Sequence, residues 1–117
     1  MSSWGSYPSI FNLGYKATEA LRGQEVVVEE KIDGSQFSFG VFAIWSSLCR
    51  LEEHTVRVRS KGREFNVNTP DKIFVKACAT VLALAPKLQI GWTYRGEVLA
   101  SPRHNTLSYD RVPTGNI

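Results

Sequence analysis

The chain is short of cysteine, has no long apolar run and carries no strong excess of one charge, and each shortage excludes a class of protein. Two cysteines, Cys49 and Cys78, in 117 residues cannot staple a small disulfide scaffold. They form no C-x-x-C pair, sit in apolar settings, and read as reduced core residues of an intracellular, cytoplasmic protein. No apolar stretch approaches the roughly 20 residues of a membrane helix. The longest, Ala77 to Ala85, has the length of a core helix. Met1-Ser2-Ser3-Trp4 shows no basic segment leading into an apolar one, so no secretory signal is expected. The two histidines, His54 and His104, lack metal-ligand spacing and are expected in solvent-exposed loops; no protein metal site is expected. No phosphate-cradling G-x-x-x-x-G-K-S/T and no Ser-His-Asp arrangement is present. Fourteen basic against eleven acidic side chains give +3, which permits an anionic partner without demanding one.

What is present suffices for one domain: 43% of residues are hydrophobic and 11% aromatic, enough for a packed core. Thr18 to Arg22 predicts a short helical turn ended by Gly23. Glu25–Lys31 is rich in β-branched residues and predicts a strand. Gln36–Phe42 alternates at period two, placing Phe37, Phe39 and Val41 on one face. Asp33-Gly34 between them is a hairpin signal. Arg50 to Glu53 reads as a polar connection, Thr55–Ser60 as a third strand with Val56 and Val58 inward, and Lys61-Gly62 as a turn. Thr69-Pro70-Asp71 predicts a helix start with Thr69 as N-cap. Phe74, Cys78, Val81 and Leu82 recur at helical spacing, with Ile73 and Ala77 beside them, until Pro86. Trp92–Leu99 predicts a fourth strand and the remainder loop. The order β-β-β-α-β implies an α+β fold, an antiparallel sheet with a packed helix.

The sharpest local pattern is Lys31-Ile32-Asp33-Gly34, a lysine at the end of a strand before an open turn. Such an amine can act as a nucleophile when its surroundings expose the lone pair, and the competing reading is a plain hairpin with a solvated lysine. Two further patterns follow: the basic Arg57-Val58-Arg59-Ser60-Lys61-Gly62 and the acidic Tyr94-Arg95-Gly96-Glu97. Alone, each is an ordinary solvated surface. Together, nucleophile, phosphate-binding cations and a carboxylate for ribose hydroxyls or a metal form one chemical set.

In this order the three motifs resemble the ATP-dependent RNA ligases, of the covalent nucleotidyltransferase superfamily that includes DNA ligases and capping enzymes. Lys31-Ile32-Asp33-Gly34 matches the family's K-x-D/H-G, and Val28 through Phe37 is similar to its RNA-ligase version. Arg59-Ser60-Lys61-Gly62 resembles the second motif and Gly96-Glu97 the third. The flanks Tyr7-Pro8-Ser9-Ile10 and Asn105 through Pro113 also resemble this group.

The resemblance implies the N-terminal portion of an ATP-grasp-like nucleotidyltransferase (ligase) domain across residues 1–117. Lys31 would attack the α-phosphate of ATP and hold AMP as a phosphoramide. The backbone at Glu30 and Ile32 would border adenine, Asp33 and Gly34 would complete the nucleotide site, Arg59 or Lys61 would meet ribose or phosphate, and Glu97 would hold the ribose hydroxyls. Magnesium (Mg2+) would neutralise the phosphates. AMP would then pass to an RNA 5′-phosphate, and a 3′-hydroxyl would displace it. Lys61 stands where the family usually has arginine, and the Glu-containing fourth and K-x-K fifth motifs do not follow Glu97. The chain alone is therefore expected to leave RNA unsealed and to adenylylate itself weakly or not at all, with a second chain or further segment completing the pocket. It is also expected to show an open sheet edge after Leu99 and to associate through it. Two other readings remain. One is a non-catalytic nucleotide- or nucleic-acid-binding module using Arg57, Arg59 and Lys61 with Trp45, Trp92 and Tyr94; the other is a part of a DNA ligase or a GTP-using capping enzyme.

Overall fold

The computed structural model describes residues 4–5, 7–46 and 51–117. Its centre is a long antiparallel pair, β1 (Ser35–Ser46) and β2 (Leu51–Ser60), in register through Phe39 opposite Val58. The two-residue strand β3 (Glu64–Phe65) adds to the outside of β2, after a turn closed by the Ser60 amide donating to the Arg63 carbonyl at 2.9 Å. β4 (Tyr94–Val98) pairs with the first residues of β1, giving the sheet order β3-β2-β1-β4. One α-helix, α1 (Val75–Leu84), covers one face. The fold is α+β with a four-stranded antiparallel sheet and one packed helix, as the sequence pattern implies.

The core follows from the period-two and period-3.6 patterns meeting. Phe37, Phe39, Val58 and Val98 from the sheet pack against Phe74, Ala77, Cys78 and Val81 from the helical segment. Phe37 and Phe74 stack with ring centroids 5.6 Å apart. Burying a side chain such as Phe37, which is fully enclosed, contributes about 1.5–3 kcal/mol. Leu82, expected on the core stripe, and Ile73, expected beside it, are instead exposed; the inward positions of the helical segment are held by Phe74, Ala77, Cys78 and Val81.

The largest correction concerns the first predicted strand. Residues 25–33 are in no strand or helix, and Val27 and Val28 are 86% and 89% exposed. Their β-branched side chains suit a pleated surface, but no neighbouring strand among the described residues offers a ladder. Asp33-Gly34 is accordingly not a hairpin turn, since nothing before it pairs with β1. The radius of gyration, 17.2 Å, exceeds the about 13 Å of a compact chain of this length, in keeping with this extended N-terminal third.

Other boundaries move less. Glu52 and Glu53 belong to β2 rather than to a connection, and residues 47–50 lie outside the described residues, Cys49 with them. β4 starts at Tyr94, leaving Trp92 outside the ladder and largely exposed. Thr69 is not the N-cap: a 3-10 turn over Lys72–Phe74 precedes α1, and Asp71 before it spends its carboxylate on Arg63 at 2.8 Å. Pro86 sits in a 3-10 turn, Ala85–Lys87, that follows α1 directly. The expected early turn is a 3-10 helix, Lys16–Leu21, followed by Gly23 at φ +73°.

The end of the chain ties helix to sheet. Gly115 and Asn116 both have positive φ, 78° and 68°. The Asn116 carbonyl accepts from the Leu99 amide at 3.0 Å, and the Gly115 carbonyl accepts from Thr80 Oγ1 at 2.9 Å. β4 is thus an edge strand, as expected, with its end partly covered by this turn. Among the described residues no helix is long and apolar enough to cross a membrane.

Candidate functional site

Alternation along the strands separates two faces. Phe37, Phe39 and Val58 point to the helix, so Gln36, Ser38, Arg57, Arg59, Arg95 and Glu97 point the other way. Strand register then sets them in rows. Glu64, Arg59, Ser38 and Arg95 are successive cross-strand partners in one row, and Gln36 and Glu97 pair in the next.

The N-terminal segment lies across the first row. Arg59 Nη1 donates to the Trp4 carbonyl at 3.0 Å, and Arg95 Nη1 donates to the Gly5 carbonyl at 2.8 Å and to Ser38 Oγ at 3.2 Å. The Trp4 indole is buried, donates from Nε1 to Glu64 Oε2 at 2.9 Å, and meets Phe42 edge-on at 5.2 Å. Arg57 stacks over the Trp4 ring at 4.7 Å and grips Glu64 with two bonds of 2.7 and 2.8 Å. These bonds, Arg57 foremost, hold the Glu64 carboxyl down to about 2.

Beyond the strap the face opens into a cavity of about 480 Å³, within the roughly 300–1,000 Å³ usual for small-molecule sites. Lys31, Gly34, Lys61 and Glu97 line it, four of the eight positions the motifs single out. Gln36, Arg95 and the strap residues Tyr7 to Ile10 complete the wall. Arg95 also lies over the Tyr7 ring at 5.7 Å. Three cations around a single carboxylate, with one half-exposed aromatic at the rim, suit an anionic ligand that also carries hydroxyls and a flat group.

The other four positions do not line the cavity. Arg59 is used on the strap, Glu30 and Ile32 flank Lys31 without facing the space, and Asp33 turns to the loop after β4. There its Oδ2 accepts from the amides of Thr106 and Leu107, each at 2.9 Å. These two bonds, Leu107 first, hold the Asp33 carboxyl below the usual carboxylate range, and Asn105 and the charge of Lys31 act in the same direction. Of the alternative set, Lys61 lines the cavity, Trp45 and Trp92 are exposed, and the other three have partners in the fold. Arg57 is committed to Glu64, Arg59 to Trp4, and Tyr94 stacks on Phe39 at 5.5 Å.

Gln36, Arg95 and Tyr7 are lining residues that lie inside the quoted stretches but to which the motifs give no role. Arg95 was within reach of the alternation, which puts it on the face of Glu97 two residues on; Gln36 needed the register and Tyr7 the path of the strap. Each histidine meets half of the expectation: His54 is exposed but lies in a strand, and His104 lies in a loop but is half-buried. His54 lies within β2, 3.6 Å from Glu52. His104 is half-buried, accepting at Nδ1 from the Ala100 amide at 3.1 Å, which assigns its neutral form a proton at Nε2, donated to Ser35 Oγ at 2.7 Å.

Among the described residues no three His, Cys, Asp or Glu side chains gather as a metal site. Magnesium is commonly carried by substrate phosphates with one or two carboxylates, and Glu97, the carboxylate on the cavity wall, fits that limited protein share. Comparison with protein-family models, curated proteins and solved structures finds no match to this chain.

Proposed function

We propose that the chain is the nucleotide-binding part of an RNA-ligase-type nucleotidyltransferase with an ATP-grasp-like domain, and that Lys31 is its nucleophile. The observation that carries the reading is convergence: Lys31, Lys61 and Glu97 come from three separate segments of the sequence and line one cavity. The deprotonated Lys31 amine attacks the α-phosphorus of ATP; an N–P bond forms, the P–O bond to the β-phosphate breaks, pyrophosphate leaves and the amine proton passes to solvent. Lys61 and Arg95 offset the phosphate charge, and Glu97 accepts from the ribose hydroxyls. Magnesium, bound with the phosphates, supplies charge neutralisation for the leaving pyrophosphate. An RNA 5′-phosphate oxygen then displaces the lysine, and an RNA 3′-hydroxyl displaces AMP.

Incubation with ATP labelled at the α-phosphate and magnesium tests the reading. A small amount of acid-labile label is expected on the chain, removed by pyrophosphate and lost in Lys31→Ala. Retention of label in Lys31→Ala, or failure of the wild-type chain to bind ATP by calorimetry, overturns it. GTP competing as well as ATP would move the assignment to the capping-enzyme branch.

A further inference from the structure

Lys31 sits in a stretch with no ladder to fix it: among the described residues, none of 24–34 is in a strand or helix. Yet a nucleophile must be held near its attack position, because misplacement by about 1 Å costs on the order of a hundred-fold in rate. The residues that immediately follow it are bound along their length to one distant loop. The Asp33 amide donates to Tyr109 Oη at 2.8 Å, and the Asp33 carboxylate receives the Thr106 and Leu107 amides. Asn105 Nδ2 donates to the Gly34 carbonyl at 2.8 Å and reaches Asp33 Oδ1 at 3.4 Å. Ser35 Oγ meets His104, whose other ring nitrogen is anchored at Ala100, just after β4. The loop closes on itself through the Tyr109 amide and the Pro102 carbonyl at 2.8 Å.

We infer that the loop 104–109 is a clamp that positions Lys31, with Asn105 and Tyr109 as positioning residues. None of the loop lines the cavity, so it acts through what it holds of residues 33–35: the Asp33 amide and carboxylate, the Gly34 carbonyl and the Ser35 hydroxyl. Through His104 the same loop is tied to the end of β4, which bears Glu97, so the clamp sets the amine and the ribose-binding carboxylate in one frame. The consequence for catalysis rests on the adenylyl-transfer reading above; the clamp itself does not.

The test compares the wild-type chain with Asn105→Ala and Tyr109→Phe by backbone NMR relaxation and by ATP labelling. The order parameters of the Lys31 and Ile32 amides should fall from a rigid value near 0.85 towards 0.6 in either variant, while those of the β1–β2 pair stay unchanged. The rate of label uptake at saturating ATP should fall about ten-fold or more, with the ATP dissociation constant within about two-fold of wild type, since no lining residue is altered. Unchanged order at Lys31 and Ile32 overturns the clamp. A parallel loss of ATP affinity also overturns it, as that marks general damage to the cavity. A wild-type chain that takes no label removes the adenylyl-transfer reading, while the order parameters still decide the clamp. If Asn105→Ala fails to fold, Tyr109→Phe, which deletes one hydroxyl, carries the comparison.

Discussion

The carbonyl oxygen of Val98 stands 2.5 Å from where a Cβ on Gly34 would lie, and Glu97 Oε2 stands 3.3 Å from the same point. Gly34 is therefore a glycine because β4 crosses it closely, and its motif brings Lys31 to Glu97 by that contact rather than by turning the chain.

Gly34→Ala should accordingly destabilise the fold by about 1–3 kcal/mol, the usual cost of overpacking, because the obstacle is backbone and cannot swing aside. Thermal unfolding followed by circular dichroism should show a midpoint several degrees lower. An unchanged midpoint would mean that β4 does not approach Gly34 so closely.

Lys61→Ala should raise the dissociation constant for ATP about ten-fold, since a hydrogen bond to a charged group contributes roughly 1.5–3 kcal/mol and 1.4 kcal/mol is a factor of ten. Calorimetric titration of ATP into the variant and the wild-type chain measures it. The effect should shrink as salt is added, because Lys61 is exposed.

Acid should weaken the strap through Glu64. Its carboxyl is lowered from 4.5 to about 2 in the folded chain, so the unfolded chain takes up the proton first. The contribution is complete above pH 4.5 and is lost as the pH falls towards 2. Urea unfolding of wild type and Glu64→Gln should differ most above pH 4.5 and converge near pH 2. The gap should be modest, since the Glu64 side chain is 41% exposed and water screens the pair.

Cys78 should be inert. Burial pushes its thiol from 9.0 up to about 11, which alone makes the thiolate on the order of a hundred-fold scarcer at neutral pH. In a Cys49→Ser background, a thiol-exchange chromophore should react with Cys78 at least a hundred times faster in urea than in buffer. Equal rates would place Cys78 outside the core.

Much of the frame is legible in the residues themselves. Phe37, Phe39 and Val58 announce the inward face, and Phe74, Cys78 and Val81 announce the stripe that meets it, because burial on one side imposes a period. Val26 to Val28 mislead for a related reason: β-propensity describes a fit to a neighbour, and among the described residues no strand lies beside them. β3 escapes notice because two residues carry no period. For the site, Lys31, Lys61 and Glu97 are readable from local patterns, whereas Arg59 is diverted by the Trp4 carbonyl, a contact 55 positions away along the chain.

The closing turn at Gly115 and Asn116 has a consequence for the whole architecture. A Cβ at Gly115 would strike Thr80 Oγ1 at 2.6 Å, so the turn fits tightly against the helix while its next carbonyl receives Leu99. Removing residues 114–117 would spare every side chain around the cavity and still delete the hydrogen bonds that join α1 to the end of β4 beside the core. Disturbing this turn would therefore reach the binding face from a distance, through the helix and the end of β4.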